Sequence, residues 1–466
     1  MPKITFMGAG SQVFAKNILG DSMLCESLQD SDIALYDINA TRLKQSVTMI
    51  SRLNNNINKG RAKVKGYLGV ENRKKALAGA DFVVNAIQVG GYEPSMKIDL
   101  EVPQQFGIHQ TIGDTLGIGG IFRALRTIPV MLDFARDMEQ VAPNAWFLNY
   151  TNPMAMLTGA MLRGSSVKTV GLCHSVQDCA QYLLKMLGLY QKPGEQATLR
   201  QKVAGINHQA WLLEIKLNGK DIYPECRAVA EKKMTQWLKD WEKAGRPKAG
   251  GDEAHLCTWM RKHDRSPDMV RLEMVRKFGY YITESSEHNA EYMPYWIKAH
   301  RPELIDKYNI PLYESQRRAI WGLSNWNDEL TTNKDITHKR TSEFGSSIMD
   351  AITTNNPCQI GGSVLNKGFI PNLPAEAAVE VPCLVDTNGV QGAYVGPLPP
   401  QCAAMNMTNI NVQLLTIEAA LTRKKEHIYH AAFMDPHTGA ELPLDEIVKL
   451  CDALIKAHGD MLPKYK

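Results

Sequence analysis

Through about the first 190 residues, short apolar runs alternate with longer stretches whose apolar positions recur at helical spacing. The runs end at Gly8 (KITFMG), Asp37 (DIALYD), Ile87 (DFVVNAI), Leu148 (AWFLN) and Leu172 (VKTVGL). Short segments that are apolar almost throughout suit strands covered on both faces. The amphipathic stretches between them predict helices, at 98–107 and most clearly at RALRTIPVMLDFARDMEQV (123–141). Strand and helix in alternation predict an α/β fold, with a Rossmann-like parallel sheet over a first domain of residues 1–195. Ligands of such sheets lie beyond the carboxyl ends of the strands. Each run here delivers glycine or polar residues at that end: GAGS, YDIN, QVGGY, NYTNP and CHS.

Beyond residue 196 the pattern is mixed, predicting an α+β domain over 196–466. AEKKMTQWLKDWEKAGRPKAGGDEAH (230–255) reads as a charged helix followed by an exposed loop. Residues 360–400 are rich in Gly, Pro and Val and read as strands and turns. NINVQLLTIEAALT (409–422) and LDEIVKLCDALIKAH (444–458) read as helices.

Composition narrows the functional classes. The chain has 466 residues, 44% apolar and 22% charged, with a net charge of only +4. No basic stripe is interleaved with aromatics, which disfavours nucleic acid as a partner. No segment approaches the roughly 18 apolar residues of a membrane span. MPKITFMGAG runs directly into the first strand without the pattern of a secretory signal, so a cytoplasmic location is expected. The nine cysteines are odd in number, scattered and never spaced CxxC, as expected of reduced thiols.

The strand ends hold the candidate chemistry. Gly8, Gly10 and Ser11 permit a tight turn whose backbone N–H groups approach a pyrophosphate at a helix N-terminus. Val13 and Phe14 stand where the usual third glycine would be. Asp37 is placed to bind a ribose 2′-hydroxyl, and Gln88 opens QVGGY at the next strand end. An ordinary βα turn with a strand-end Asp fits these segments as well. Asn149, Asn152 and Pro153 suit a turn by themselves. Cys173 is compatible with a buried thiol, a nucleophile or a metal ligand, and His208 follows it by 35 residues in GINH. Asp114, Arg123 and Arg126 surround a Gly-rich loop before the long helix.

The order of these motifs is more telling than any one of them. GAGS, YD, GGYEP, GDTLGIGGI-R, LNYTNP, GLCHS and GINH follow one another, and NKGFIPNLPAEAAVEVPCLVD (366–386) and TNINVQLL (408–415) continue the series. The chain resembles glycoside hydrolase family 4, the NAD-dependent glycosidases, and within it the α-galactosidase branch, through GLCHSVQ, TESSEH and HAA-MDPHT.

The resemblance implies a divalent metal, usually Mn2+, held by Cys173 and His208, and NAD bound by Gly8, Gly10, Ser11, Asp37 and Gln88. It implies a redox route to hydrolysis: NAD+ takes hydride from C3 of the sugar, a base removes the C2 proton, the glycosidic oxygen leaves, water adds and hydride returns. His174 stands where relatives acting on phosphorylated sugars carry Asp, and is the candidate acid, with hydrogen bonding to sugar hydroxyls as its rival role. Asn152, Asn207 and Arg123 are the expected substrate contacts, with Asp114 lining the sugar pocket. The base falls within 278–292, among Tyr281, Glu284, Glu287, His288 and Tyr292, and Asp114 and Tyr292 join His174 as the catalytic candidates. No arginine lies between Arg73 and Arg123, which disfavours a phosphate clamp. The expected substrate is an α-galactoside of the melibiose or raffinose type. An α-glucuronide or α-galacturonide is the alternative, with Arg123 or Arg126 meeting its carboxylate. From another class, a 2-hydroxy-acid dehydrogenase would share the first half of the chain. Members of the family are commonly homodimers or homotetramers.

Overall fold

A computed structural model describes residues 1–173, 175–189, 198–246, 268–313 and 330–466. Among them thirteen strands form one sheet. The first six are β1 (Lys3–Met7), β2 (Asp32–Asp37), β3 (Lys63–Leu68), β4 (Phe82–Asn85), β5 (Trp146–Asn149) and β6 (Lys168–Gly171). They lie side by side in the order 3-2-1-4-5-6, every pair parallel. This is the doubly wound dinucleotide-binding order. All but β3 coincide with the apolar runs. β3 (KVKGYL) occupies the outer edge, partly exposed along its length, so it needs no continuous apolar run and carries none.

The remaining strands are β7 (Leu199–Ile206), β8 (Gln209–Leu217), β9 (Lys220–Asp221), β10 (Tyr281–Ile282), β11 (Cys358–Leu365), β12 (Ala378–Asp386) and β13 (Gly389–Gly392). They extend the sheet past β6 as antiparallel pairs, in the order β11-β12-β7-β8-β10. Both halves of the chain thus share one sheet. Single residue pairs, Ser363 with Gly171 and Glu380 with Gly205, make the joins of β11 to β6 and of β12 to β7.

The expected helices are present as Gly117–Val141, Tyr223–Lys243, Pro400–Thr422 and Leu444–His458. The loop anticipated after the charged helix runs into 247–267, outside the described residues. Pro400–Thr422 is largely buried and holds loops of the site through amides. Asn406 Nδ2 donates to Gln209 O at 2.7 Å, and Asn409 Nδ2 to Tyr292 O at 3.2 Å.

A second long-range tie joins the helix behind the glycine turn (Gln12–Met23) to the segment near 340. Asp21, wholly buried, lies 2.7 Å from His338 Nε2 and accepts from Thr341 N at 2.9 Å and from the Thr341 hydroxyl. Burial works to raise its pKa, but the bonds from His338 and Thr341 outweigh it, and the carboxyl titrates below its ordinary value. Its contribution is therefore present above the ordinary carboxylate pKa and is lost as pH falls through the folded value. Asp21→Asn is expected to cost about 2–4 kcal/mol. Thermal melts between pH 3 and pH 7 should show the gap between the two proteins narrowing on the acid side.

Candidate active site

The carboxyl ends of β1, β2, β4, β5 and β6 converge, as the doubly wound order requires. Gly8 has a φ of +83°, and a Cβ there would stand 2.8 Å from Ala86 O. The turn is closed by Gly8 N and Ala9 N donating to Tyr36 O at 3.0 and 2.9 Å. Gly10 N donates to Asp37 Oδ2 at 2.6 Å, while Asp37 Oδ1 accepts from Asn39 N at 2.8 Å. The Asp37 carboxylate is thus aimed at the glycine turn across the strand ends. Ser11 precedes the helix without a side-chain cap, so the first-turn N–H groups are left to a ligand. Phe14, one residue past the place of a third glycine, packs on Tyr150 with ring centroids 5.6 Å apart. Gln88 is exposed beyond β4.

The next strand ends are tied by amides. Asn85 Nδ2 donates to Asn149 Oδ1 at 2.9 Å and to Thr151 Oγ1 at 3.1 Å. Arg123 donates through Nε to Asn152 O at 3.0 Å and pairs with Asp114 at 3.3 Å. It therefore belongs to this floor. Arg126 does not. Its guanidinium is enclosed against Asp99 at 2.6 Å, and Asp99 also lies 2.9 Å from His458 Nε2. Arg126 is a structural ion pair and cannot meet a uronate, contrary to the alternative its sequence position allowed.

Beyond β6, Cys173 is buried, with Sγ 3.1 Å from Ser175 Oγ and 3.8 Å from Glu284 Oε2. His208 sits in the tight turn between β7 and β8, and its Nε2 lies 3.6 Å from the same Glu284 oxygen. The antiparallel extension of the sheet is what brings that turn to β6. Glu284 follows β10 with a φ of +67°, a left-handed conformation unusual for a residue with a Cβ. The surrounding bonds hold it: Thr283 N donates to Ala210 O at 2.8 Å, and Ser286 Oγ to Asp268 at 3.1 Å.

Sulfur, imidazole nitrogen and carboxylate oxygen of Cys173, His208 and Glu284 all lie within 4.8 Å of one another. Burial, then the Glu284 and Glu380 carboxylates, push the Cys173 thiol well above its ordinary pKa. Deprotonated, thiol and carboxylate would put two negative charges in a buried site. A divalent cation neutralises that charge, and the mixed donor set suits a first-row metal. The residues present therefore fit such an ion.

The short helix Ser286–Glu291 forms the opposite wall. Its His288 faces Asp114 at 3.8 Å and Glu284 at 3.9 Å, with its ring edge-on to His208. Burial opposes its charge, but the Asp114 contact and the Glu284 field raise its pKa to about 9. Asp114 is shifted the other way: burial would raise it, yet His288 and Arg123 hold it below the usual carboxylate range. Glu291 collects Thr111 N, Ile112 N and Gly113 N at 2.9–3.2 Å, which welds this helix to the loop carrying Asp114. Tyr292 is wholly buried, and burial followed by nearby carboxylates pushes its phenol well above 10.

Cys173, His208, Asn207, Asn152, Asp114, Arg123 and the 278–292 segment thus border the same strand ends as the glycine turn. His174 lies outside the described residues. Glu291 and Glu380 were not singled out from the sequence, although both fall within motifs that were.

Comparison with known proteins decides the family. The description "Family 4 glycosyl hydrolase" matches residues 3–189, and its C-terminal domain matches residues 203–438. The chain belongs to the family 4 glycosyl hydrolases. It is 51% identical to an alpha-galactosidase of Bacillus subtilis over all of both chains. It is 31% identical to an alpha-galactosidase of Rhizobium meliloti, across 99% of this chain and 89% of that one. A solved 6-phospho-alpha-glucosidase from gut microorganisms, in complex with NAD and Mn2+, superposes with a TM-score of 0.76 at 17% identity, each chain fully covered. That likeness establishes the family 4 fold across both halves. Family membership also displaces the 2-hydroxy-acid dehydrogenase as the reading of the first half. Among the described residues no helix is long and apolar enough to cross a membrane.

Proposed function

We propose that the protein hydrolyses unphosphorylated α-galactosides with NAD and a divalent ion such as Mn2+. The observation that carries the proposal is the gathering of Cys173, His208 and Glu284 beside the glycine turn, in a chain matched end to end by an alpha-galactosidase. When bound, NAD+ supplies reversible oxidation at C3 of the sugar, and the ion supplies a Lewis acid for the adjacent oxygens.

The remaining roles fall to this chain's own residues. The Gly8–Ser11 turn and the following helix would hold the pyrophosphate, with Asp37 at the ribose and Gln88 at the rim. Cys173 and His208 would hold the ion. Of the base candidates, Glu284 is the carboxylate that reaches this pair, and it is the proton acceptor in this reading. Tyr292 keeps its proton, because its hydroxyl is sealed from water among carboxylates. Asp114, balanced by Arg123 and His288, lines the sugar pocket and stays ionised. His174 remains the acid candidate. Asn152 and Asn207 have buried Oδ1 atoms with no partner among the described residues, as suits acceptors for sugar hydroxyls.

The pairing of both nearby arginines with carboxylates of this chain supports a neutral sugar. Arg123 already serves Asp114, and Arg126 serves Asp99. A reducing compartment would keep Cys173 a ligand, which favours the cytoplasm, and a homodimer or homotetramer is the expected assembly. The test is a panel of p-nitrophenyl α-galactoside, glucoside, glucuronide and galacturonide, each with and without NAD+, Mn2+ and thiol. Release of nitrophenol from the galactoside, dependent on NAD+ and without accumulation of NADH, is expected. Turnover of uronides alone would transfer the protein to the alternative substrate, and turnover without NAD+ would end the redox mechanism.

A further inference from the structure

Behind the His208 turn lies a carboxyl that none of these roles uses. Glu380 belongs to β12, where its partner on β7 is Gly205, just before the Ile206–His208 corner. The residue is 2% exposed, and its Oε1 accepts from Asn207 Nδ2 at 3.2 Å. Burial pushes the carboxyl up to about 8, while the bond from Asn207 works the other way, because it favours the ionised form, which can only accept. At the other end of the same planar amide, Asn207 Oδ1 is buried without a partner among the described residues. Leaving such an acceptor unpaired is destabilising, and a donor arriving with the ligand would remove that cost. His208 follows Asn207 directly in the chain, so that ligand is the one the site binds.

We propose that Glu380 is a positioning residue: by accepting from the amide nitrogen of Asn207, it turns Oδ1 outward as the acceptor for a sugar hydroxyl. This rests on the reading of the site as a glycosidase centre. An amide has a donor end and an acceptor end, and only the neighbour decides which faces the substrate. Glu380→Gln brings its own NH2 group, which can capture Asn207 Oδ1 and leave the wrong end outward. Asn207→Asp sets two carboxyls against each other. In the double variant the amide introduced on β12 donates to one oxygen of the carboxylate introduced at the turn, and the other oxygen again faces outward.

The experiment measures KM and kcat on p-nitrophenyl α-galactoside for both single variants and the double, with NAD+ and Mn2+ present. Calorimetric affinity for methyl α-galactoside and for NAD+ is measured alongside. Each single change is expected to raise KM and the sugar Kd by about tenfold or more, with NAD+ affinity within about threefold, and for Glu380→Gln kcat should also stay within about threefold. The double variant should recover to within about threefold of wild type. Losses that multiply in the double variant would overturn the proposal. Should Glu380→Gln not fold, Glu380→Leu removes the acceptor with an apolar side chain, and an unchanged KM there would overturn it equally. A wild-type protein inactive on the galactoside would overturn the reading of the site, whereas an active wild type with multiplying losses overturns only the role of Glu380.

Discussion

Replacing Cys173 by serine is expected to lower turnover of an α-galactoside by about a thousandfold or more, the scale of losing a Lewis acid at the reacting carbons. NAD+ affinity should stay within about threefold, because the glycine turn and Asp37 lie at other strand ends, bonded among themselves, whereas the thiol contacts Ser175 and Glu284. Serine keeps the size of the side chain and can still reach Ser175, but its hydroxyl is not deprotonated by a divalent ion as a thiol is. Activity assays, NAD+ titration and Mn2+ binding on the same preparation check the three parts together. Unfolding, or loss of NAD+ binding in step with activity, would instead make Cys173 a buried structural thiol. Chelators should inactivate the wild type reversibly, since two firm protein ligands make an open site.

The second large effect is expected at Glu284. Glu284→Gln preserves the volume and one acceptor oxygen while removing the basicity, so kcat should fall by about a hundred- to ten-thousandfold. If Glu284 is the proton acceptor, Mn2+ affinity changes little, and exchange of the sugar's C2 hydrogen with solvent deuterium is lost. A drop in Mn2+ affinity that matches the loss of kcat would assign the carboxylate to the ion instead. Tyr292→Phe, by contrast, should retain much of the activity. Its hydroxyl is enclosed and held protonated, so a severe loss of solvent exchange in that variant would return the base to Tyr292.

The two halves of the chain differed in how plainly they could be read. In the first, five of the six parallel strands are buried along most of their length, so periodicity alone marked those five. β3 escaped because an edge strand with a wet face carries Lys63 and Lys65 where a central one would carry apolar residues. In the second half, β7 and β8 form a hairpin, ending at Leu217, whose position depends on β11 and β12, which begin only at Cys358. No local pattern encodes that pairing. Glu380 sits in VEVP as an ordinary alternating strand residue, and only the Asn207 contact distinguishes it. Arg123 and Arg126 are equivalent in sequence, three residues apart on one helix. The protein environment separates them, with Asp114 at the site claiming one and Asp99 in the interior the other.

The sequence by itself determined the doubly wound half, the glycine turn with its strand-end Asp37, and an ordered set of motifs specific enough to indicate the family. Those features depend on local periodicity, on glycine's freedom at one turn and on residue identity, all of which are written along the chain. Tertiary structure alone decided that Glu284 reaches the Cys173–His208 pair, that Arg126 is out of reach, and that Glu380 backs Asn207. Each of these depends on distances set by an antiparallel sheet extension, and a linear pattern carries no distances between strands remote in sequence.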